Sequence, residues 1–364
     1  MRLEDVDIEL ALQYIIDSTP AKITISGGGE PFLELDSLLQ LLQKAHCPYI
    51  EIDTAANWAG ASEVTKRILK QICSASRRNP SSPRLIIRAS IDKFHMTAFN
   101  PVPLEAYVNL VHAWLPFRDH IELGFRGLIL EDDRSVEALA DALGGGISSR
   151  DSCNKVISLP GHVTLPVTFN VLRFTGKGSQ LQKKLADRTL SLQQYFAPFE
   201  DSPERLVLSR AINDAVKAKY YPYDGVSITL DYDGSLHVFT ATAPDRRCNI
   251  RTHTFAESLK WFYGDPITRV LLSEGPYWLC ETLQPVAPSL VADALRRNDV
   301  CSLVETLLSD ARICGFVTAI ALKALINSGL ANPLTRHVIL DQLQAASFAD
   351  LQLEAIQALG RDLQ

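Results

Sequence analysis

The sequence lacks any close pair of cysteines. Its seven cysteines are scattered, and none stands in the Cys-x-x-Cys spacing typical of zinc or iron–sulfur ligands; they are Cys47, Cys73, Cys153, Cys248, Cys280, Cys301 and Cys314. No metal site is therefore encoded locally. An odd number of scattered cysteines indicates free, mostly buried thiols rather than a disulfide framework.

Basic charge and long apolar runs are also lacking. The net charge is -6 and the isoelectric point about 5.8, and no run of Lys and Arg is interleaved with aromatic residues, so we expect no nucleic-acid partner. The first residues, MRLEDVDIELAL, include acidic side chains where a signal peptide needs a basic start. The most apolar helical stretch, 313–326, is interrupted by Lys323 and is shorter than the roughly 20 residues that span a bilayer. We therefore expect a cytoplasmic protein with no membrane partner.

Segments of helical and strand periodicity alternate from residue 5 to about 130. Strands are predicted at 22–26, 49–53, 84–90 and 121–130, and helices at 5–18, 34–45, 61–75 and 103–115. Repeated βα units with apolar strands require a parallel sheet covered by helices, either doubly wound or closed towards a barrel. A further strand is predicted at 163–174 and a helix at 204–218, whereas the segment GGGISSRDSCN at 144–154 is predicted to be a loop.

The pattern changes twice after this α/β region. Residues 226–241 form two alternating runs joined at Asp233-Gly234, a pair that suits the positive φ angles of a tight hairpin turn. From about residue 254 apolar residues recur at helical spacing. We therefore predict an α/β domain over 1–222, a β-hairpin element over 223–253 and a helical C-terminal region over 254–364.

The segment ITISGGGEP, at 23–31, is a predicted strand that ends in three glycines, an acid and a proline. Gly27, Gly28 and Gly29 allow a ligand to approach the backbone closely, and Glu30 adds a negative charge suited to an ammonium group. The same residues also suit a permissive strand-to-helix turn capped by Glu30.

A second polar segment closes the predicted strand at 84–90. Alternation along the strand puts Arg88, Ser90 and Asp92 on one face, where they could bind hydroxyl groups. Alternatively, Asp92 caps the following turn and Arg88 is its salt-bridge partner.

These two segments resemble motifs of the radical S-adenosylmethionine (radical SAM) superfamily. SGGGEP resembles the family's GGE motif, whose glycines meet the methionine amino group of S-adenosylmethionine, and Ser90-Ile91-Asp92 resembles its S-x-D strand, whose polar end reaches the ribose. The resemblance covers residues 5 to 174 and implies a partial, open βα barrel. It also implies two cofactors, S-adenosylmethionine and a [4Fe-4S] cluster. The residues implied in S-adenosylmethionine binding are Gly27, Gly28, Gly29, Glu30, Ser90 and Asp92.

Weaker candidates stand at the ends of other predicted strands. Thr54 and Asn57 occur where the family often has a Thr-Asn pair, although two alanines separate them here, and Asn57 also suits the start of the next turn. Arg126 and Glu131-Asp132-Asp133 could meet a carboxylate or an amine, although an Asp in this position also suits a helix cap. Asn170 is a similar candidate on the last strand of this region.

The family's defining cysteines, spaced C-x3-C-x2-C before the first helix, are absent from the sequence. Three thiolates would leave one iron open for S-adenosylmethionine. One explanation is an N-terminally incomplete chain, which the unpaired sheet edge left by a missing first strand favours. The other is a family member that has lost its redox chemistry.

The resemblance implies an enzyme that, in complete form and with an electron donor, cleaves S-adenosylmethionine reductively and abstracts hydrogen from a peptide or small-molecule substrate. One alternative is a catalytically inactive scaffold or binding protein. Another is an unrelated α/β barrel lyase or hydrolase in which Glu30, Asp92 and Asp133 supply acid–base groups.

Overall fold

The structure of the protein is a computed structural model. It describes residues 5–26, 29–97, 101–150, 153–170, 172, 228–231, 233–237, 248–296 and 300–327. The chain divides into two compact units, Met1–Leu172 and Arg173–Gln364. The predicted domain boundaries near residues 222 and 253 stay predictions, and the helix predicted at 204–218 lies outside the described residues.

The first unit contains a seven-stranded sheet and its connecting helices. The strands are β1 (Lys22–Ile25), β2 (Tyr49–Thr54), β3 (Arg84–Ser90), β4 (Ile121–Leu128), β5 (Gly146–Ser149), β6 (Asn154–Leu159) and β7 (Val163–Asn170). The α-helices are α1 (Asp5–Ser18), α2 (Leu35–Lys44), α3 (Ser62–Arg78), α4 (Lys93–Thr97), α5 (Leu104–Trp114) and α6 (Ser135–Ala142). Single turns of 3-10 helix occur at Pro31–Glu34, Asn57–Ala59 and Leu115–Phe117. Every strand and helix predicted up to residue 130 is present within a few residues of its predicted bounds.

The sheet is singly wound. Its strand order is β1-β2-β3-β4-β7-β6-β5, with β1 to β4 and β7 parallel and β6 antiparallel to both of its neighbours. The helix α2 contacts α3, α3 contacts α5 and α5 contacts α6, so the connecting helices lie side by side on one face. In a doubly wound sheet the strand order would reverse and helices would cover both faces. The unit is therefore an α/β fold with a mostly parallel sheet that is covered by helices from one side.

The two faces of the parallel strands differ because successive side chains point to opposite faces. One face is apolar and buried in a single core with the helices; it includes Ile50, Ile52, Leu85, Ile87, Ile121, Leu123, Phe125, Leu165 and Val167. The other face is polar and includes Glu51, Asp53, Arg88, Ser90, Glu122 and Arg126. The charged side chains are thus collected on the face away from the helices.

The helix α3 shows how the sequence produces this packing. Its buried residues recur at spacings of three and four; they are Thr65, Ile68, Leu69, Ile72, Cys73 and Ser76, together with Ala75. That spacing is the signature of one helix face turned towards a core. The helix is followed by its C-cap residue Asn79, whose buried amide nitrogen donates hydrogen bonds to the carbonyls of Leu42 and Ala45 at 2.9 and 2.8 Å. Asn79 therefore ties the end of α3 to the end of α2.

The segment at 144–154, predicted to be a loop, contains β5 and the start of β6, so that prediction was wrong. These strands form the antiparallel edge of the sheet. The glycines suggest a loop, but one of them permits close strand packing: a Cβ on Gly145 would lie 2.8 Å from the carbonyl oxygen of Ser158. The helix α6 was not predicted either.

The second unit contains a hairpin and helices within the described residues. The strands β8 (Thr229–Leu230) and β9 (Leu236–His237) are antiparallel, and Gly234 between them has a φ of +81°, which confirms the predicted hairpin. The helices are α7 (Phe255–Gly264), α8 (Pro266–Ser273), α9 (Tyr277–Leu283), α10 (Pro288–Leu295), α11 (Val300–Leu307) and α12 (Ala311–Asn327). The apolar stretch at 313–326 lies within α12.

The described cysteines are free thiols, as predicted. Cys47, Cys73, Cys248, Cys280 and Cys314 are buried, and Cys153 is half-buried. Among the described helices, none combines the length and the apolar character needed to cross a bilayer.

Candidate functional site

The candidate site lies at the carboxyl ends of the parallel strands. Because β1 to β4 and β7 run in the same direction, these ends meet at one edge of the sheet, where α/β proteins commonly bind ligands. Glu30 follows β1, Thr54 ends β2, Asp92 follows β3 and Asn170 ends β7. The topology therefore brings candidates that are distant in sequence to the same edge.

Glu30 is hydrogen-bonded to the end of β2. Its Oε1 accepts hydrogen bonds from Thr54 Oγ1 at 2.7 Å and from the Phe32 N–H at 3.3 Å, and its Oε2 accepts one from the Ala55 N–H at 2.8 Å. The capping interpretation is confirmed, since Glu30 caps the 3-10 helix at Pro31–Glu34. A carboxylate has about four acceptor sites, so this half-buried group retains capacity for a donor from a ligand.

Thr54 fixes the position of Glu30. Its hydroxyl donates to Glu30 and accepts hydrogen bonds from the Ala56 N–H and from Trp58 Nε1, both at 2.9 Å. One donor and two acceptor sites are all that a hydroxyl has, so the buried Thr54 side chain is fully used within the protein. The Trp58 ring in turn stacks on Phe32, with ring centroids 4.0 Å apart. Thr54 is thus a positioning residue in this structure.

Asp92 is buried and is held by three hydrogen bonds within its own turn. Its Oδ1 accepts hydrogen bonds from the N–H groups of Phe94 at 2.8 Å and His95 at 3.0 Å, and its Oδ2 lies 2.7 Å from His95 Nδ1. The interpretation of Asp92 as a cap is therefore confirmed. Its predicted salt bridge with Arg88 is wrong, because Arg88 lies on the sheet and pairs with Glu51 instead.

Ser90 is half-buried at the end of β3, the strand that pairs with β2. Its carbonyl oxygen accepts a hydrogen bond from the Tyr107 hydroxyl at 2.9 Å. Among the described residues, none forms a hydrogen bond with the Ser90 hydroxyl, so this group can contact a ligand. Burial, together with the charges of Asp92 and Glu30, raises the pKa of Tyr107, and its phenol therefore remains a neutral donor that holds the end of β3.

Charged residues join four strands of the sheet, β1 to β4. Glu51 on β2 lies 2.8 Å from Lys22 Nζ, 3.4 Å from Arg88 Nε and 3.2 Å from Arg126 Nη2. Arg126 also donates through Nη1 to Asp53 Oδ2 at 2.7 Å. Arg126, a weaker candidate for binding a ligand carboxylate, thus already bridges from β4 to both carboxyl groups of β2.

The pKa values of the two carboxyl groups of β2 are shifted in opposite directions. Burial raises the pKa of Glu51, but the hydrogen bond from Lys22 and the charges of Lys22, Arg88 and Arg126 outweigh burial, so the pKa is lowered. At Asp53 burial outweighs Arg126, with the charge of Glu51 adding to it, so the pKa is raised. The Oδ1 atom of Asp53 is also buried without a hydrogen-bond partner among the described residues. The cations around Glu51 thus favour its charged form, whereas burial disfavours the charged form of Asp53.

The remaining candidates have other surroundings. Asn57 begins a 3-10 helix and is exposed, which agrees with its interpretation as a turn residue, and Asn170 is exposed at the end of β7. Asp133 accepts hydrogen bonds from the Lys93 N–H at 3.1 Å and the Ser135 N–H at 2.9 Å. Asp133 therefore connects the turns that follow β3 and β4.

The glycine turn is described in part. Gly27 and Gly28 lie outside the described residues. A Cβ built on Gly29 meets no atom of the described residues within 4 Å.

Sequence reasoning missed four residues of the site. Glu51 and Asp53 were overlooked because they alternate with apolar residues of β2 and carry no motif. His95 is the third residue after Asp92, a spacing that could have suggested a contact across one helical turn. Tyr107 lies on α5 and gives no local signal.

Comparison with known proteins assigns no family: no protein-family model matches the chain, and no curated protein matches it.

Proposed function

We propose that this chain binds S-adenosylmethionine as the body of a radical SAM enzyme. The observation that supports the proposal best is the position of the two motif segments. Glu30 and Ser90 stand at the carboxyl ends of β1 and β3, at the same edge of a singly wound parallel sheet. We further propose that the sheet is part of an open βα barrel whose interior is the charged face.

In this proposal the methionine end of S-adenosylmethionine lies against Gly27, Gly28 and Gly29, and its ammonium group meets Glu30. The free acceptor capacity of that carboxylate supports the assignment, because an ammonium donates to carboxylate oxygens. The hydroxyl of Ser90 would meet the ribose. Asp92, whose oxygens are already engaged, would reach the ribose only by sharing its Oδ2 with His95.

The iron–sulfur cluster does not fit residues of this chain. The sequence has no C-x3-C-x2-C motif, and in the part of the chain that the structure describes no group of three or more His, Cys, Asp or Glu side chains is arranged to hold a metal ion. Reductive cleavage by an electron donor and hydrogen abstraction from a peptide or small molecule stay predictions from the family resemblance.

Isothermal titration calorimetry of the full chain with S-adenosylmethionine tests the proposal. We expect saturable binding at one site. The Glu30→Gln variant keeps the shape of the side chain but loses its charge, so affinity should fall roughly tenfold to a hundredfold, the equivalent of one charge-assisted hydrogen bond of about 1.5–3 kcal/mol.

The matched control is Glu63→Gln. Glu63 is an exposed acid at the start of α3, and its substitution removes the same charge from the protein without touching the site, so affinity should not change. If the wild-type chain releases no heat of binding at millimolar S-adenosylmethionine, or if both variants weaken binding equally, the proposal is wrong.

A further inference from the structure

A histidine–carboxylate pair follows β3 at the same edge of the sheet. His95 Nδ1 lies 2.7 Å from Asp92 Oδ2. Asp92 is 2% exposed, and its other oxygen is held by two backbone N–H groups. The carboxylate therefore cannot turn away from the imidazole, and the ring is fixed with one nitrogen against a buried acid.

Among the described residues, none engages the second ring nitrogen of His95. With Nδ1 donating to Asp92, the neutral ring carries its lone pair on Nε2. No described residue forms a hydrogen bond with Nε2, and 38% of the His95 side chain is exposed. A partly exposed imidazole whose Nε2 no described residue engages thus follows Ser90 at the end of β3.

Helix capping alone does not explain this pair. The cap of α4 needs only Asp92 Oδ1, which accepts from the N–H groups of Phe94 and His95. The bond from Oδ2 to the imidazole is additional. The same arrangement, a buried carboxylate that orients a histidine and stabilises its protonated form, is what general acid–base catalysis requires.

We propose that His95 is a proton-transfer residue of this site, with Asp92 as its positioning residue. His95 Nε2 accepts the proton of an O–H or N–H group of a bound molecule, the electron pair of the broken bond stays on the oxygen or nitrogen of that molecule, and Asp92 offsets the charge of the imidazolium. The proton then returns to the product or to water. This inference goes beyond the proposed function and does not depend on S-adenosylmethionine.

The charges around His95 favour this role. Its hydrogen bond with Asp92 raises the pKa of His95; burial opposes this, and the charges of Asp92 and Glu30 add to the increase. Tyr107 on α5 is uncharged, for the reason given above. Lys93, the nearest cation along the chain, lies 2.6 Å from Asp132 in the turn after β4. The imidazolium is therefore stabilised by the charges of two carboxylates, Asp92 and Glu30, and the neighbouring lysine is paired.

The first test is a pH titration by nuclear magnetic resonance of the full chain labelled with [15N]histidine. The His95 signals are assigned by their absence from the spectrum of the His95→Gln variant. We expect the neutral ring to carry its proton on Nδ1 and the titration midpoint to lie above the ordinary value of 6.5. The Asp92→Asn variant keeps an oxygen that can cap α4, so it should fold, and its His95 midpoint should fall.

The second test measures proton transfer with 4-nitrophenyl acetate as the probe. His95 Nε2 should take a proton from the attacking water while 4-nitrophenolate leaves, so hydrolysis should accelerate as the pH rises through the midpoint of His95. His95→Gln should abolish most of the protein-dependent rate, and Asp92→Asn should reduce it. His112→Gln, which changes an exposed histidine on α5, is the control and should keep the wild-type rate.

Each outcome decides the inference. A His95→Gln variant that retains the rate, or a His95 midpoint at or below the ordinary value, would overturn the role of His95. An unchanged midpoint and rate in Asp92→Asn would overturn the role of Asp92. Because neither test uses S-adenosylmethionine, failure of the calorimetric experiment would count against the proposed function alone.

Discussion

Substitution of Glu51 tests how much the ion pairs on the charged face of the sheet contribute to stability. The Glu51 side chain is 4% exposed and lies within 2.8–3.4 Å of nitrogen atoms of Lys22, Arg88 and Arg126. The Glu51→Gln substitution keeps the volume but removes the charge that these three cations share. A hydrogen bond to a charged group contributes about 1.5–3 kcal/mol. Because Lys22 is 46% exposed and regains water in the variant, we expect a loss of about 2 kcal/mol in the free energy of unfolding.

The chain contains a matched control for this substitution. Glu63 pairs with Lys66 at 2.9 Å, almost the same distance as Glu51 with Lys22, but the Glu63 side chain is 87% exposed. An exposed i,i+3 pair contributes at most about 0.5 kcal/mol. Glu63→Gln should therefore leave stability nearly unchanged, although it removes the same charge and an ion pair of the same length.

Thermal unfolding followed by circular dichroism at pH 7 measures both variants. A loss of about 2 kcal/mol in a unit of this size corresponds to about 4–8 °C in Tm, and faster hydrogen exchange in peptides that contain residues 49–54 would show that β2 responds. Because the folded state lowers the pKa of Glu51, its stabilisation is fully present above pH 4.5 and is lost as the pH falls through that lowered pKa. Equal Tm shifts for the two variants, or a Glu51→Gln effect that persists unchanged in acid, would refute the reasoning.

Three further predictions concern single residues of the first unit. Thr54→Val removes the hydroxyl that donates a hydrogen bond to Glu30 and accepts hydrogen bonds from two N–H groups. We expect a loss of about 1–3 kcal/mol in the free energy of unfolding, measured with urea, and an unchanged unfolding midpoint would contradict this hydrogen-bond network. The stability difference between wild type and His95→Gln should be largest below pH 6.5 and should disappear as the pH rises through the raised pKa of folded His95. A stability difference that grows with pH would contradict a raised pKa. Gly145→Ala puts a Cβ 2.8 Å from a carbonyl oxygen of β6 and should cost about 1–3 kcal/mol. Gly146→Ala, whose Cβ meets no atom of the described residues within 4 Å, should be tolerated in the same unfolding assay.

The order of the elements could be predicted from the sequence where periodicity was strong. The bounds of β3, Arg84–Ser90, were predicted correctly because the run RLIIRAS alternates and is flanked by prolines and polar residues. The edge strand β5, GISS, was missed because it consists mostly of Gly and Ser, residues that form strands only when neighbouring strands supply the packing. Its partner β6 was missed although it contains Val156, Ile157 and Leu159. Local pattern therefore predicted the parallel core better than its antiparallel edge.

The candidate site was predictable only where its contacts are local. The cap formed by Asp92 was foreseen because donor and acceptor lie within three residues. The partner of Arg88 was assigned incorrectly because Glu51 is 37 positions away along the chain and becomes a neighbour only through the parallel pairing of β2 with β3. The bond from Thr54 to Glu30 escaped prediction for the same reason, since it spans 24 positions.

The bridge that Arg126 forms to two acids of one strand limits how this protein can change during evolution. A substitution of Arg126 alone would leave Glu51 and Asp53 facing each other without the cation between them, and loss of either acid alone would leave Arg126 with a single partner. Positions 51, 53 and 126 should therefore vary as a group, with neutral replacements in one strand accepted only after matching replacements in the other. Such epistasis would keep the charge pattern of this face intact even where the surrounding sequence diverges.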